Sequence, residues 1–170
     1  MPSDGDTMSI DGDTMSIDGG TMSKNRVPAM EGWFTLGDEP RLIGLHDEGS
    51  GSYFFPKDVA IVRAPGHADA ELREVELSRT GKLWSYTTNH YPPPEPYVAP
   101  DPFEPYTVAA VELASERMVV LGQLDAGVDP ADLEVGQEME LVLGTLYEDD
   151  ENEYLVWKWR PVSAVNGEAA

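Results

Sequence analysis

No cysteine occurs among the 170 residues, which excludes disulfides, thiolate metal ligands and a cysteine nucleophile. Basic residues are scarce: 11 Lys and Arg stand against 32 Asp and Glu, for a formal charge of −21 and a pI near 4.2. Nucleic-acid binding needs Lys and Arg to displace counterions along the phosphates, so this charge balance argues against it and against an anionic membrane surface. The acidity suits a halophilic host or an acid-biased proteome equally. Long apolar runs are also missing. No stretch approaches 18 residues, and the N-terminus lacks the basic-then-apolar order of a signal peptide, so the cytoplasm is the expected compartment. Proline and glycine, at 14 and 16, are plentiful and point to many turns around a modest core.

The chain opens with a repeat. Asp4–Ile10 and Asp11–Ile17 both read DGDTMSI, and Asp18–Ser23 reads DGGTMS. Gly in every unit weakens a helix, and the Asp-Gly-Asp-Thr fragments lack the closing Glu of a calcium loop. Residues 1–30 are therefore expected to be a disordered tail. Residues 31–44 (EGWFTLGDEPRLIG) are too apolar for a free tail and are expected to pack as an arm or short helix. Residues 45–71 hold an acidic Gly/Ser loop and then two short apolar runs split by Pro56.

From Leu72 the text becomes strand-like, beginning with Leu72–Leu77, which alternates loosely as L-R-E-V-E-L. Lys82–Tyr91, Tyr106–Leu113, Arg117–Leu124, Glu138–Tyr147 and Tyr154–Val162 are rich in aromatic and β-branched residues or alternate apolar with polar. Asp129-Pro130 followed by Gly136 marks one helical turn between the third and fourth of these strands. Five strands with a helix in that slot predict a mainly β protein, an OB-fold barrel over 72–163, with a generic small β-barrel as the alternative. Residues 164–170 are expected to fray.

Catalytic constellations are not visible. His46, His67 and His90 lack strong ligand spacing, and the serines lie in Gly-Ser loops without a strand–turn–helix context. Trp84, Tyr86, Trp157 and Trp159 either fill the barrel or back onto Trp33 and Phe34, with packing the stronger expectation; exposed on an OB barrel, such rings could stack on a base or on the adenine of CoA. Lys158 and Arg160 alternate with the two tryptophans and so face away from them. They could meet a CoA phosphate or an acidic partner patch. The loop from Tyr91 to Pro105 has seven prolines, which stiffen it, and Tyr97 and Phe103 would project from it as anchors on a partner or fold back over the barrel mouth.

Several stretches, taken in order, resemble the rubredoxin-like zinc-ribbon plus OB-fold family associated with acyl-CoA thiolases and thiolase-like lipid-transfer proteins or aldolases. They are GDEPRLIG (Gly37–Gly44), YFFP (Tyr53–Pro56), ELREVELSRTGKLWSYT (Glu71–Thr87), PFEPYTVAAVEL (Pro102–Leu113), VLGQL (Val120–Leu124), VGQEMELVL (Val135–Leu143) and LVWKWRPV (Leu155–Val162), within about Glu31 to Val162. The resemblance implies two CxxC pairs holding zinc ahead of the barrel. By spacing they would fall on Asp47 and Ser50, and on Ala64 and His67, where no cysteine stands. A degenerate, metal-free ribbon is therefore expected, held by Tyr53, Phe54, Phe55, Val59, Ile61 and Val62. The resemblance further implies a non-catalytic accessory subunit of a thiolase-like enzyme acting on carbon–carbon bonds in acyl-CoA substrates. Such a subunit has no cofactor of its own, touches CoA at most through Trp84, Tyr86, Lys158 and Arg160, and could also self-associate within a heteromeric complex. Trp33, Phe34, Phe54, Phe55, Tyr97 and Phe103 are the expected partner-binding residues, because the arm and ribbon carry more large apolar side chains than a small barrel can hide. A free-standing OB-fold ligand-binding or scaffold protein is the alternative, and a nucleic-acid-binding OB domain a weaker one.

Overall fold

A computed structural model describes residues 24–58, 63–94 and 102–162. Nine strands lie within these residues, in two sheets. Strand β5 (Thr80–Asn89) pairs antiparallel with β6 (Tyr106–Leu113), and β6 with β7 (Met118–Leu124). On the other side β5 pairs with β8 (Glu138–Glu148), β8 with β9 (Asn152–Pro161), and β9 closes onto β7 in parallel through Gln123↔Lys158 and Leu124↔Trp159. The result is the closed five-strand OB barrel that the sequence predicts. Closure removes the sheet edges, and one residue of every two points inward. Leu83, Ala109, Val111, Val120, Met139, Leu141 and Trp159 make that interior.

Turn chemistry sets the connections. Between β7 and β8 lies one 3-10 turn, Pro130–Asp132, whose Asp129 side chain accepts from the Ala131 amide at 2.9 Å, as the Asp-Pro signal predicts. The acidic β8–β9 turn is held by Asp149, whose Oδ1 accepts from the Glu151 and Asn152 amides at 2.9 and 2.7 Å and whose Oδ2 accepts from the Tyr154 hydroxyl. These bonds to the charged form, the two backbone amides foremost, hold the Asp149 carboxyl below its ordinary range.

Three expectations need correction. The first strand-like run of the barrel region, observed as β4 (Leu72–Glu76), is not a barrel strand. It pairs with β2 (Ile43–Asp47), which also pairs with β3 (Ser52–Phe54), so β4 completes a separate three-stranded ribbon sheet and the barrel begins at Thr80. Alternation along Leu72–Leu77 signals a strand but cannot say which sheet it joins. The arm 31–44 is no helix: Phe34 bridges Leu42, the Thr35 amide donates to the Arg41 carbonyl at 2.8 Å, and the arm runs straight into β2. Lastly, the tail expected to extend through residue 30 gives way at β1 (Asn25–Pro28), which pairs in parallel with β9 from Asn25↔Asn152 to Pro28↔Leu155. Lys24 and Arg26 support it with ion pairs to Glu148 (2.6 Å) and Glu153 (3.3 Å).

Removing residues 1–23 is expected to leave the melting temperature unchanged. Removing residues 1–30 strips the β1–β9 hydrogen bonds and is expected to lower it by about 5 °C or more. Differential scanning calorimetry of the two truncations checks this, and equal melting temperatures would show that β1 adds nothing to the barrel.

Candidate functional site

Two places on the molecule collect residues that sequence reasoning singled out. One is the junction between ribbon and barrel. Trp157 of β9 stacks on Trp33 at 6.1 Å and meets Phe34 and Phe55 edge-on at 6.0 and 5.6 Å; Trp33 and Phe55 meet edge-on at 5.7 Å. The Trp33 indole donates to Asp58 Oδ2 at 2.6 Å, and the Trp157 indole to the Leu121 carbonyl at 2.8 Å. Phe34 is only 5% exposed, and Trp33, Tyr53 and Phe55 pack against the core. This corrects the argument that these rings lack burial. The barrel's own Trp157 packs over them: Phe34 is buried, and Trp33 and Phe55 are half-buried. Phe54 is half-buried on β3, and Phe103 is half-buried against Tyr106 at 6.3 Å. Tyr97, Val59, Ile61 and Val62 lie outside the described residues.

The other place is the outer face of the barrel. Trp84 sits at a bulge between Leu83 and Ser85 and is 62% exposed; Tyr86, farther along β5, is partly exposed but pairs with the core residue Ala109, on the inward row of the strand. The cross-strand row Ser85–Ala110–Leu121 and the row Lys82–Glu112–Val119 run over the same side of β5, β6 and β7. Leu121 is 60% exposed and Val119 is exposed, while Val120 between them is buried. Leu121 also borders an open apolar depression of about 300 Å³ lined by Met30, Tyr106, Val108, Val156 and Trp157. Val119 and Leu121 face water together on β7, and Trp84 does so on β5, with Ala110 and Glu112 of β6 between them; exposed apolar side chains gathered on one side of a barrel are the kind of feature that marks an interaction site. Sequence reasoning named Trp84 and Tyr86 but missed Val119 and Leu121. The run Met118–Leu121 is apolar throughout, and only the barrel's curvature shows which half faces out.

The basic pair splits. Arg160 donates to Glu140 at 2.8 Å, and Glu140 also accepts from Arg79 at 3.0 Å, so Arg160 is committed within the barrel. Lys158 runs its stem across Gly144, where an added Cβ would come within 2.7 Å of Lys158 Cδ, and lines a cleft with Gln123, Asp125 and Thr145. Burial lowers its pKa, opposed by the Asp125 charge.

The positions where the resemblance implies zinc ligands were tested by their chemistry. Asp47 is 1% exposed, and both of its oxygens are taken: Oδ1 accepts from the Gly49 amide at 2.9 Å, and Oδ2 accepts from the Ser50 hydroxyl at 2.6 Å. His67 Nδ1 lies 3.4 Å from the same Oδ2. A hydroxyl, a methyl, one imidazole and one engaged carboxylate do not fit a closed tetrahedral zinc site. His46 of β2, just before that turn, stacks on its cross-strand partner Tyr53 of β3 at 4.2 Å. The Ser50 hydroxyl, then the Gly49 and Ser50 amides, hold the Asp47 carboxyl below its ordinary range, with a smaller contribution from His67.

Comparison with known proteins agrees with this layout. A family described as "ChsH2, C-terminal OB-fold domain" matches residues 74–144. A DUF35 domain-containing scaffold protein of Methanocaldococcus jannaschii is 27% identical over 135 residues, spanning 76% of this chain and 88% of the relative. Its counterpart in Pyrococcus furiosus is 31% identical over 132 residues, spanning 76% and 90%. Among solved structures, a chain of the Ltp2-ChsH2(DUF35) aldolase superposes with a TM-score of 0.53 at 26% identity, covering 71% of this chain and 84% of that one.

Two outcomes are expected. Metal analysis of natively purified protein should find less than stoichiometric zinc; one zinc per chain would refute the metal-free ribbon. Because the folded pKa of Asp47 is depressed, its contribution to stability is present above the unfolded carboxyl range and lost as pH falls through the folded value. Asp47→Asn should therefore be less stable than wild type at pH 7, with the gap narrowing as pH drops below about 4. Urea melts across pH 2–7 read this, and a constant gap would assign the loss to packing instead.

Proposed function

The chain belongs to the family of DUF35 domain-containing scaffold proteins, and from that membership we propose that it is a non-catalytic accessory subunit of a thiolase-like enzyme that makes or breaks carbon–carbon bonds in acyl-CoA substrates. The partner supplies the catalytic Cys or His, and this chain supplies a docking surface. The observation that carries the reading is the exposed apolar face of Trp84, Val119 and Leu121 on β5 and β7. Similarity to a chain of an Ltp2-ChsH2(DUF35) aldolase supports an enzyme subunit as the occupant. Charge favours the same choice. A second copy would bring another −21 of formal charge to the contact, whereas an enzyme face with Lys and Arg around an apolar centre is complementary. The same acidity disfavours nucleic acid.

CoA contact, where it occurs, falls to the exposed rings of Trp84 and Tyr86, which can stack on adenine, and to Lys158 and Arg160, the latter already giving its Nε to Glu140.

Tagged full-length protein, purified from its native host, is expected to bring down a thiolase-like subunit with carbon–carbon bond activity on acyl-CoA. Changing Trp84 to Ser or Leu121 to Asp should each weaken that complex by about 30-fold, and the double change by more, because central apolar anchors contribute about 2 kcal/mol each. Circular dichroism should show the barrel intact. An equally tight double variant would remove the outer face from the interface. A monomeric wild type that turns over acyl-CoA alone would end the accessory-subunit reading.

A further inference from the structure

The ribbon is a small sheet with little core of its own, and β2, β3 and β4 together span only Ile43–Asp47, Ser52–Phe54 and Leu72–Glu76. Sheets of this size need a staple, a metal or a larger neighbour to hold their loops. Aromatic contacts with Trp157 fix the end of the ribbon next to the barrel. They do not reach the far end, where the β2–β3 turn faces the turn at Ala64–His67.

Both far turns are internally closed. The Gly51 amide donates to the Asp47 carbonyl at 2.8 Å, and the His67 amide to the Ala64 carbonyl at 2.9 Å. What joins them is the Asp47 side chain. From the end of β2 it accepts bonds from Gly49 and Ser50 of its own turn and meets His67 of the other. Gly49 lets the two turns approach, since a Cβ there would lie 3.2 Å from Asp47 Oδ1 and 3.3 Å from His67 Nδ1. A buried carboxylate is tolerated only when its acceptor sites are filled, and here they are. Remove it, and the donors of Gly49 and Ser50 lose their partner inside the turn.

We propose that Asp47, hydrogen-bonded to Gly49 and Ser50 of its own turn and lying 3.4 Å from His67 Nδ1 of the other, is a clasp that holds the two far turns of the ribbon together, in the position where the family resemblance implies zinc. The clasp replaces the metal mechanically and not chemically: it adds no Lewis acid, only directional bonds to one buried anion. The ribbon's order then depends on three side chains and is independent of metal supply.

Hydrogen exchange read by mass spectrometry on the full chain tests this at neutral pH. In Asp47→Ala, amides in 43–54 and 72–76 should exchange about tenfold faster or more, while those in 106–124 and 138–161 keep wild-type protection. Ser50→Ala should move the same ribbon amides to a smaller extent. Adding phenanthroline to wild type should change nothing. Unchanged ribbon exchange in Asp47→Ala, equal loss of protection in the barrel, or a chelator effect on wild type would each overturn the clasp. A gain-of-site variant tests the geometry separately. With Asp47, Ser50, Ala64 and His67 all changed to Cys, the ribbon should take up one cobalt(II), give the absorption of a tetrahedral thiolate site, and become sensitive to chelator. A folded four-cysteine variant that takes up no cobalt would show that the turns do not surround one centre.

Discussion

The indole of Trp157 is where barrel, arm and ribbon meet, and the arrangement of the whole chain follows from it. Its position on β9 next to Trp159 makes it part of the barrel wall, yet its exposed side is covered by Trp33, Phe34 and Phe55 from segments more than a hundred residues earlier. Ring pairs of this kind contribute about 0.5–1.5 kcal/mol each beyond the area they bury. Three of them converge on one side chain, and its N–H is satisfied by the Leu121 carbonyl. Without that ring, arm and ribbon would present their aromatics to water.

Burying those rings has a consequence for function. Among the described residues, the large apolar side chains left exposed include Trp84, Val119, Leu121 and Val135 of the barrel region and Leu36 of the arm. Leu121 connects the two regions, since its carbonyl receives the Trp157 indole while its side chain faces solvent. A partner seated on the outer face would thus contact the strand that anchors the junction.

Charge plays a different part in the interior from its part on the surface. Most acidic side chains are solvated and set the protein's repulsion and solubility. A few carboxylates are built in. Asp47 and Asp149 each accept bonds from amides of their own turns, and Glu116 accepts from the Ser78 amide and hydroxyl at 2.8 and 2.9 Å, where the ribbon chain enters the barrel. These three positions sit at chain reversals or junctions, where backbone donors would otherwise be unpaired.

The local features were legible in the residues alone: five barrel strands from their composition and alternation, the Asp129-Pro130 turn from its capping chemistry, and the exclusion of thiolate chemistry from the absence of cysteine. All of these depend on neighbours a few residues away, which a linear reading sees. Tertiary structure alone decided that β4 joins β2 instead of the barrel, that β1 lies along β9, that Phe34 is covered while Trp84 is bare, and that Asp47 and His67 meet. None of these has a local signal. A strand's pattern tells which of its faces is apolar but not which sheet will cover it. An aromatic ring counts as a docking surface or as core only once the chain has brought, or failed to bring, another ring against it.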